Sequence, residues 1–184
     1  MEMMGHLTEP APVKKPEPNL TAEQQLIDEL LKKNGYNGRK PTVLVVHKRS
    51  RKLTAYKGHT PLKTYPIVLG GNPRGDKMCQ GDQCTPEGVY RVKAKYPHPK
   101  WTYFIWLDYP NNQNWAKYSK AKRTGHISPK ADIGGAIGIH GTEDDLKNLR
   151  GENWTLGCIS LVNRHVEEIY PLVDQDTLVV IRKE

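Results

Sequence analysis

The sequence predicts a mainly β protein, a β-sandwich or barrel with a few helices and one helix ahead of it. Its 184 residues suit a single domain with a substantial core. Hydrophobic residues make up only 36% of the chain, while 16 glycines, 14 prolines and nine tyrosines favour strands and turns over a helical bundle. From Pro41 onward, short β-branched and aromatic runs alternate with Gly, Pro and Asn turns, as in a sheet built from many short strands.

The composition changes twice along the chain and divides it into three parts. Residues 1–20 are rich in proline and charge, have little to bury, and are predicted to form a disordered tail. Residues 21–39 are predicted to form a helix and a linker, and residues 40–184 the β-rich domain. No internal repeat is visible.

The helix in this second part has clear signals at both ends. Thr21 followed three residues later by Gln24 fits a capping box, and Gly35 suits the C-terminal stop. The spacing of the apolar residues between them places one hydrophobic stripe on the helix. That stripe consists of Leu26, Ile27, Leu30 and Leu31.

The β-rich part holds seven strand-like runs and three further helical segments. The runs are "TVLVVHK", "KLTAYKG", "TYPIVLG", "GVYRVKA", "YFIWLDY", "GAIGIHG" and "DTLVVIRK". The segment "HKRSRKL" is predicted to connect a hairpin, and "QNWAKYSKAKRTG" to form a helix or an irregular basic insertion. "TEDDLKNLRG" is predicted as a short helix closed by Gly151, and "NRHVEEIYPLV" as a helix with Asn163 as its N-cap.

The charge of the chain narrows the classes of partner. Lys and Arg total 28 against 20 Asp and Glu, a net charge of +8, which suits a polyanion such as nucleic acid, acidic lipid or cell wall. A soluble protein kept away from neutrality explains the same charge. No nucleic-acid-binding signature is present, so no nucleic acid partner is predicted. No run approaches the roughly 18 apolar residues of a membrane span, and residues 1–20 lack the apolar core of a secretory signal.

The three cysteines differ in their surroundings. Cys79 and Cys84 share a turn-rich stretch, whereas Cys158 stands alone. A local disulfide between the first two and a free reactive thiol at Cys158 would indicate an oxidising compartment; three ordinary reduced thiols are the alternative. Zinc would need two more ligands at suitable spacing, and none are found, so no metal is predicted.

Cys158 and His140 are candidates for nucleophilic catalysis. Each stands at the margin of a strand-like run and next to glycine: Cys158 in "TLGC" comes before such a run, and His140 in "IHG" ends one. An imidazole can generate the thiolate, and the backbone amides of Gly157 and Cys158 can form an oxyanion hole. The group that orients the imidazole is left open between a backbone carbonyl and the carboxylates of Asp132, Asp144 and Asp145. The alternative is a buried filler cysteine and a structural histidine.

Three ordered blocks of the sequence resemble the L,D-transpeptidase (YkuD-type) family. "IHGT" followed by "TLGCISLVN" is similar to its active-site signature, and "VLGGNPRGDKMCQGDQCTPEGVYRV" to its Gly-x-Asn-Pro, Gly-Asp and Thr-Pro-Glu-Gly-x-Tyr elements. "YPNNQNWAKY" leading to "DIGGAIGIHG" is similar to the murein-acting branch found in Gram-negative bacteria. The resemblance makes residues 40–184 an L,D-transpeptidase-like catalytic domain.

This resemblance implies a role for each residue of the signature. Cys158 would be the nucleophile, His140 the base, and Gly141 the residue whose carbonyl orients the imidazole. The amides of Gly157 and Cys158 would form the oxyanion hole. Thr155, Trp154 and Ser160 are the candidate substrate-binding residues.

The resemblance also implies a substrate and a compartment. Acyl transfer on peptidoglycan stem peptides would pass through a thioester at the L-centre of diaminopimelate, with no cofactor, in the periplasm or cell envelope. The acceptor is left open between an amine, the lysine of a murein-anchored lipoprotein, and water, which would give carboxypeptidase activity or lipoprotein release. A non-catalytic wall-binding module on the same scaffold is the other alternative.

Two departures from the family pattern fall beside the cysteine. Leu156 stands where many members have His, and Ser160 stands where many have Arg. Loss of the arginine removes a bidentate carboxylate clamp, which leaves the bound peptide undefined. The positions of Cys79 and Cys84 commonly carry charged residues in relatives, and this paired change strengthens the predicted disulfide.

Overall fold

The computed structural model describes residues 19–184. The predicted tail, residues 1–20, lies outside the described residues apart from Asn19 and Leu20. The helices are α1 (Ala22–Lys33), α2 (Asn112–Arg123), α3 (Asp145–Leu149) and α4 (Asn163–Ile169), the last followed by a 3₁₀ turn at Tyr170–Leu172. The strands are β1 (Thr42–His47), β2 (Lys52–Lys57), β3 (Thr60–Pro66), β4 (Gly88–His98), β5 (Thr102–Leu107), β6 (Gly138–His140), β7 (Ile159–Ser160) and β8 (Leu178–Arg182).

The eight strands form one curled sheet in the order β3-β2-β1-β8-β4-β5-β6-β7. The pairs β1–β8 and β6–β7 are parallel, and every other neighbouring pair is antiparallel. The prediction of a mainly β fold with a few helices and a preceding N-terminal helix is confirmed. Within residues 19–184, no helix combines the length and apolar character that crossing a bilayer requires.

The central strands are buried on both faces. In β1, Leu44 and Val46 point into the main core, and Val43 and Val45 point to the opposite face. Strand residues alternate between the two faces of a sheet, so five consecutive buried residues in β1 require a cover on each side. Helix α1 supplies the second cover.

Helix α1 begins and ends as the sequence predicts. The Thr21 side chain accepts a hydrogen bond from the Gln24 amide, and the Gln24 side chain accepts one from the Thr21 amide, which completes the capping box. Gly35, one residue after the C-cap, adopts φ +82°, a conformation that glycine reaches without a Cβ penalty. Ile27 and Leu31 are the buried residues of the apolar stripe and pack against the outer face of β1 and β8.

The N-cap predicted for α4 is wrong by one residue. The cap is Val162, which makes no side-chain hydrogen bond, and Asn163 is the first residue of the helix. The Asp145 side chain accepts a hydrogen bond from the Asn163 amide at 2.8 Å instead. This leaves the Asn163 side chain free to bind the turn after β6.

Candidate active site

A cleft of about 690 Å³ opens at the β5–β6–β7 end of the sheet, and both Cys158 and His140 line it. Its other walls are the loop that carries Lys77, the segment 134–137 before β6, and the segment 154–156 before Cys158. Aromatic rings make up much of its surface. They belong to Tyr96, His98, Trp101, Phe104, Trp106 and Trp154.

Parallel pairing of β6 and β7 brings the two candidate catalytic residues to one face. His140 is in register with Ser160, and Ile139 with Ile159. Continuing that register places Cys158 opposite Gly138, two residues before His140 on the neighbouring strand. The Cα atoms of Cys158 and His140 are thus two residues apart along the strands and one strand spacing apart across them. This geometry gives a separation of roughly 8 Å and places both side chains on the same face of the sheet. Residues 18 positions apart in sequence are therefore close neighbours in the cleft.

The imidazole of His140 is buried, and its tautomer follows from its hydrogen bond. Nδ1 lies 2.7 Å from the carbonyl oxygen of Gly141. A carbonyl only accepts, so Nδ1 carries the proton and donates it, which leaves Nε2 as the proton acceptor. Because a backbone carbonyl orients the ring, none of the three aspartates considered from the sequence is needed for that purpose.

Aromatic rings enclose His140 and change its acidity. The Trp101 ring stacks on the imidazole at 4.1 Å between centroids, and Trp154 meets it edge-on at 5.7 Å. Burial lowers the pKa of His140 to about 4, against the opposing effect of the Gly141 hydrogen bond. The imidazole is therefore neutral at pH 7.

The thiol of Cys158 is half-buried and is hydrogen-bonded to the backbone. Sγ donates to the carbonyl oxygen of Ala136 at 3.5 Å, and no hydrogen bond joins it to His140 in the described part of the chain. Burial raises the pKa of Cys158 to about 11, although the Gly138 amide and the Lys77 charge act in the opposite direction. At pH 7 the resting pair is therefore a neutral thiol and a neutral imidazole.

The turn before the cysteine requires glycine. Gly157 adopts φ +139°, and a Cβ at that position would lie 2.7 Å from the carbonyl oxygen of Cys84. Its N–H donates to Thr155 Oγ1 at 3.2 Å, and the Thr155 hydroxyl donates to the Cys158 carbonyl at 2.7 Å. Of the two amides predicted for an oxyanion hole, that of Gly157 is already engaged. The other of these two amides, that of Cys158, has no hydrogen-bond acceptor within residues 19–184.

Ser160, one of the residues predicted to bind substrate, lies behind the cleft rather than at its surface. It is fully buried, and its hydroxyl donates to the Gly141 carbonyl at 2.9 Å. The Asn148 amide donates to Ser160 Oγ at 2.8 Å, and Trp154 Nε1 donates to Asn148 Oδ1 at 2.8 Å. Ser160 therefore belongs to a chain of hydrogen bonds that ends on the carbonyl orienting His140.

The other two residues predicted to bind substrate do line the cleft. Thr155 is buried and ties the 155–158 turn together, and Trp154 is half-buried with its indole N–H held by Asn148. Leu156, the first departure from the family pattern, is 76% exposed at the cleft. An apolar side chain this exposed beside the thiol can contact a bound ligand directly.

Asn163 fixes the turn that follows His140. Its Oδ1 accepts hydrogen bonds from the Thr142 amide and the Thr102 hydroxyl, each at 2.9 Å, and its Nδ2 donates to the Thr142 carbonyl at 2.9 Å. A Cβ on Gly141 would lie 2.2 Å from this Oδ1. The asparagine that closes the family signature thus has a structural reason, which the N-cap interpretation missed.

The predicted disulfide is not formed. Cys79 and Cys84 are free thiols in the structure. The carboxylate of Asp82 accepts hydrogen bonds from the backbone amides of both cysteines and of Met78, and so organises the turn without a covalent link. The same carboxylate pairs with Lys77 at 2.9 Å, which holds that buried ammonium group at the cleft.

Several residues of the cleft were not identified from the sequence, among them the aromatic group next to His140. Trp101, His98 and Phe104 form a stacked group around His140, with 4.5 Å between the His98 and Trp101 centroids. The signal in the sequence was the density of aromatic residues in "YPHPKW" and "YFIW", which lie on β4, the β4–β5 turn and β5.

Residues 19–184 contain no group of three or more His, Cys, Asp or Glu side chains that could hold a metal ion.

Comparisons with known proteins agree on one family and one fold. The family model of the YkuD L,D-transpeptidase catalytic domain matches residues 41–181. The Escherichia coli K12 protein YafK, a proposed L,D-transpeptidase, is 25% identical over 139 residues, covering 72% of this chain and 47% of YafK. The chain therefore spans about half the length of the curated relatives it matches.

Solved structures show the same fold at low sequence identity. The helical cell shape determining protein Pgp2 of Campylobacter jejuni has a TM-score of 0.56 and 22% identity, covering 88% of this chain and 56% of Pgp2. Bd1075 of Bdellovibrio bacteriovorus has a TM-score of 0.54 and 23% identity, covering 80% and 50% of the two chains. An L,D-transpeptidase from Mycobacterium smegmatis has a TM-score of 0.52 and 13% identity, covering 78% and 59%.

Proposed function

The chain belongs to the YkuD family of L,D-transpeptidase catalytic domains, and on this premise we propose that it catalyses cysteine-dependent acyl transfer on peptidoglycan stem peptides. One observation carries the proposal: a lone thiol and an imidazole with a free Nε2 line the same cleft. Cys158 is the nucleophile and His140 is the base. The proposed setting is the cell envelope, in the periplasm.

Acylation begins with a change in the direction of the thiol. Cys158 turns from the Ala136 carbonyl toward His140 Nε2, which takes the thiol proton as sulfur attacks the carbonyl at the L-centre of diaminopimelate. The free Cys158 amide donates to the developing oxyanion. The C–N bond to D-alanine then breaks, the amine leaves with the proton held by His140, and a thioester remains on sulfur.

The acceptor determines the product of the second half of the reaction. Neutral His140 takes a proton from the incoming nucleophile, and the thiol is regenerated when the tetrahedral intermediate collapses. An amine of another stem gives a cross-link, and a lipoprotein lysine gives an anchored protein. Water gives a shortened peptide, or releases a lipoprotein already anchored.

The low pKa of His140 keeps the resting ring neutral, and the burial that lowers it also makes the imidazole a weaker base, so proton transfer from Cys158 has to be coupled to attack on the substrate. At pH 7 the ring is neutral, so its Nε2 is available on nearly every molecule, whereas an ordinary histidine near pKa 6.5 is partly protonated. The raised pKa of Cys158 means that this thiol needs such a base, because little thiolate exists on its own.

The test is an assay on isolated murein sacculi with product identification by mass spectrometry. Wild-type protein is expected to produce muropeptide dimers with 3–3 cross-links, tripeptide stems, or released lipoprotein remnants, depending on the acceptor. Cys158→Ala should abolish every product, whereas Cys79→Ala, which removes a cysteine from the adjacent loop, should retain them. Unchanged sacculi with folded wild-type protein would contradict the proposal and favour a wall-binding module.

A further inference from the structure

A second cavity, of about 700 Å³, lies outside the catalytic cleft and is lined mainly by cations. It forms where the β1–β2 turn meets the loop after β3 and the segment that follows β8. Five positive side chains and one carboxylate face it. They are Lys48, Arg49, Arg51, Arg74, Lys183 and Glu184.

Two of the five cations are paired with carboxylates of the protein. The buried Lys48 ammonium group donates to two backbone carbonyls at 2.6 and 2.8 Å and pairs with Glu87 at 3.0 Å. Arg49 pairs with Glu184 at 3.2 Å, and both of these side chains are exposed.

Within residues 19–184, the other three cations have no acidic partner. There Arg51 donates to the carbonyl of Gly151, at 2.9 Å. Arg74 and Lys183 have no carboxylate within 4 Å in the part of the chain that the structure describes. Three unmatched positive charges facing one concavity repel each other and raise its positive potential, which an anion relieves.

The backbone around the cavity is well constrained. Hydrogen bonds from the Lys48 and Arg49 amides to the carbonyls of Arg182 and Lys183, at 2.9 and 3.0 Å, extend the β1–β8 pairing to the cavity wall. Arg51 adopts φ +53°, a left-handed conformation that is uncommon outside glycine. The cations are therefore presented from fixed backbone positions rather than from a flexible tail.

A neutral donor completes the set. Asn153 lines the cavity, and its Oδ1 accepts a hydrogen bond from the Leu69 amide at 2.9 Å. That contact orients the side chain and leaves its NH₂ group, a donor, without an acceptor in residues 19–184. Guanidinium forks, an ammonium and an amide N–H₂ together match the oxygens of a phosphate or carboxylate group.

We infer that this cavity is a second ligand site, which binds a phosphate- or carboxylate-bearing ligand. It differs from the catalytic cleft in chemistry, because the cleft is walled by aromatic rings and this cavity by guanidinium and ammonium groups. Two chain segments contribute to both. Arg74 and Lys77 lie three residues apart on one loop, and Asn153 and Trp154 are adjacent on the other.

The test is a titration of the purified protein with inorganic phosphate, and separately with citrate, at constant ionic strength. The amide NH₂ signals of Asn153 in two-dimensional NMR report on binding. A saturable shift is expected, at least tenfold weaker in the double variant Arg74→Gln and Lys183→Gln. Saturation by phosphate alone identifies a phosphate group, and saturation by citrate alone a carboxylate.

The matched control is Lys57→Gln with Lys120→Gln, which removes two exposed charges elsewhere and should leave the titration unchanged. Equal weakening of binding in both double variants would mean that only net charge matters, and it would overturn the inference. A titration that saturates with neither phosphate nor citrate would overturn it as well. The measurement needs no catalytic turnover, so its outcome is independent of whether Cys158 acylates.

Discussion

His140 has properties that come from its neighbours rather than from its own chemistry. The stacked Trp101 ring excludes water from one side of the imidazole, and the Gly141 carbonyl fixes the proton on Nδ1. The ring is therefore held neutral with one nitrogen ready to accept a proton. Without these neighbours, a histidine would titrate close to neutral pH.

The first prediction concerns the pH at which the His140 imidazole becomes protonated. Its ring should titrate near pH 4 in NMR, because burial opposes the charged form, and it should remain neutral as pH falls from 7 to 5. Trp101→Ala admits water to the ring and should move the pKa upward, toward about 6.5. A proton would then occupy Nε2 at pH 5 to 6, so acylation should be lost there and retained at pH 8.

Trp115→Ala is the control for this experiment, because Trp115 lies on α2 and is about half exposed, away from the imidazole. It should leave the titration of His140 unchanged. If the His140 imidazole of the wild-type protein titrated near pH 6.5, the ring would be hydrated and burial would not control its pKa.

Single residues differ in how far the sequence predicts them. Cys158 and His140 are identified because each borders a strand-like run beside glycine and because the family signature surrounds them. Ser160 is harder to interpret, because strand alternation places it on the same face as Cys158, two residues earlier, and as His140, its neighbour in register. Its burial under Asn148 and the Gly141 carbonyl depends on tertiary contacts that no local pattern reveals.

Three short elements cooperate to orient the base. Asn148 on α3, Ser160 on β7 and Gly141 after β6 form one continuous line of hydrogen bonds from Trp154 to His140. Every member of the line is buried or half-buried, so a missing partner cannot be replaced easily by water.

The second prediction is that Ser160→Ala weakens both stability and acylation. The change leaves the Asn148 amide without its acceptor and should cost about 1–3 kcal/mol of unfolding free energy. Looser orientation of His140 should lower kcat on the order of tenfold while KM changes little, because Ser160 does not touch the cleft.

Ser119→Ala, at an exposed position of α2, provides the matched control and should change neither quantity. Urea unfolding and steady-state kinetics measure the two effects. A rise in KM with unchanged kcat would instead place Ser160 in contact with substrate, as the sequence prediction had it.

Elements with local signals are the ones that the sequence predicts well. Helix α1 matches from its capping box to Gly35, the β1–β2 hairpin lies where "HKRSRKL" indicates it, and α3 is followed by Gly151 at φ +70°. Strand neighbours far apart in sequence are different. Nothing local to Val45 indicates that its partner in the sheet is Val180, because that pairing depends on the whole fold.

Residues 19–184 form two hydrophobic layers separated by the sheet. The larger layer lies on the face that includes Leu44, Ile139 and Ile159, and so supports the catalytic strands. The smaller layer, on the other face, joins α1 to β1 and β8 through Ile27 and Leu31. The two layers share strands but not side chains.

The third prediction separates these layers. Ile27→Ala should destabilise the protein by about 2–5 kcal/mol, because Ile27 is 1% exposed and its loss leaves a cavity under α1. Acylation by the folded variant should equal that of the wild type, since the catalytic strands are supported from the opposite face.

The comparison variant is Leu62→Ala, which removes a leucine side chain that is half exposed on β3 and should cost well under 1 kcal/mol. Denaturant unfolding followed by circular dichroism gives both values. A destabilisation by Ile27→Ala no larger than that of Leu62→Ala would mean that α1 is only loosely attached to the sheet.

Gly70 and Gly157 lie where the main chain beside the thiol packs directly against the main chain of residues 83–84. We call this backbone contact the seam. A Cβ at Gly70 would overlap the Gln83 carbonyl at 2.0 Å, and one at Gly157 would overlap the Cys84 carbonyl. Any side chain larger than hydrogen at either glycine would push the two stretches apart. Altered ligand preference is therefore easier to reach through exposed side chains that line the cleft, such as Leu156, Tyr96 and Gln80.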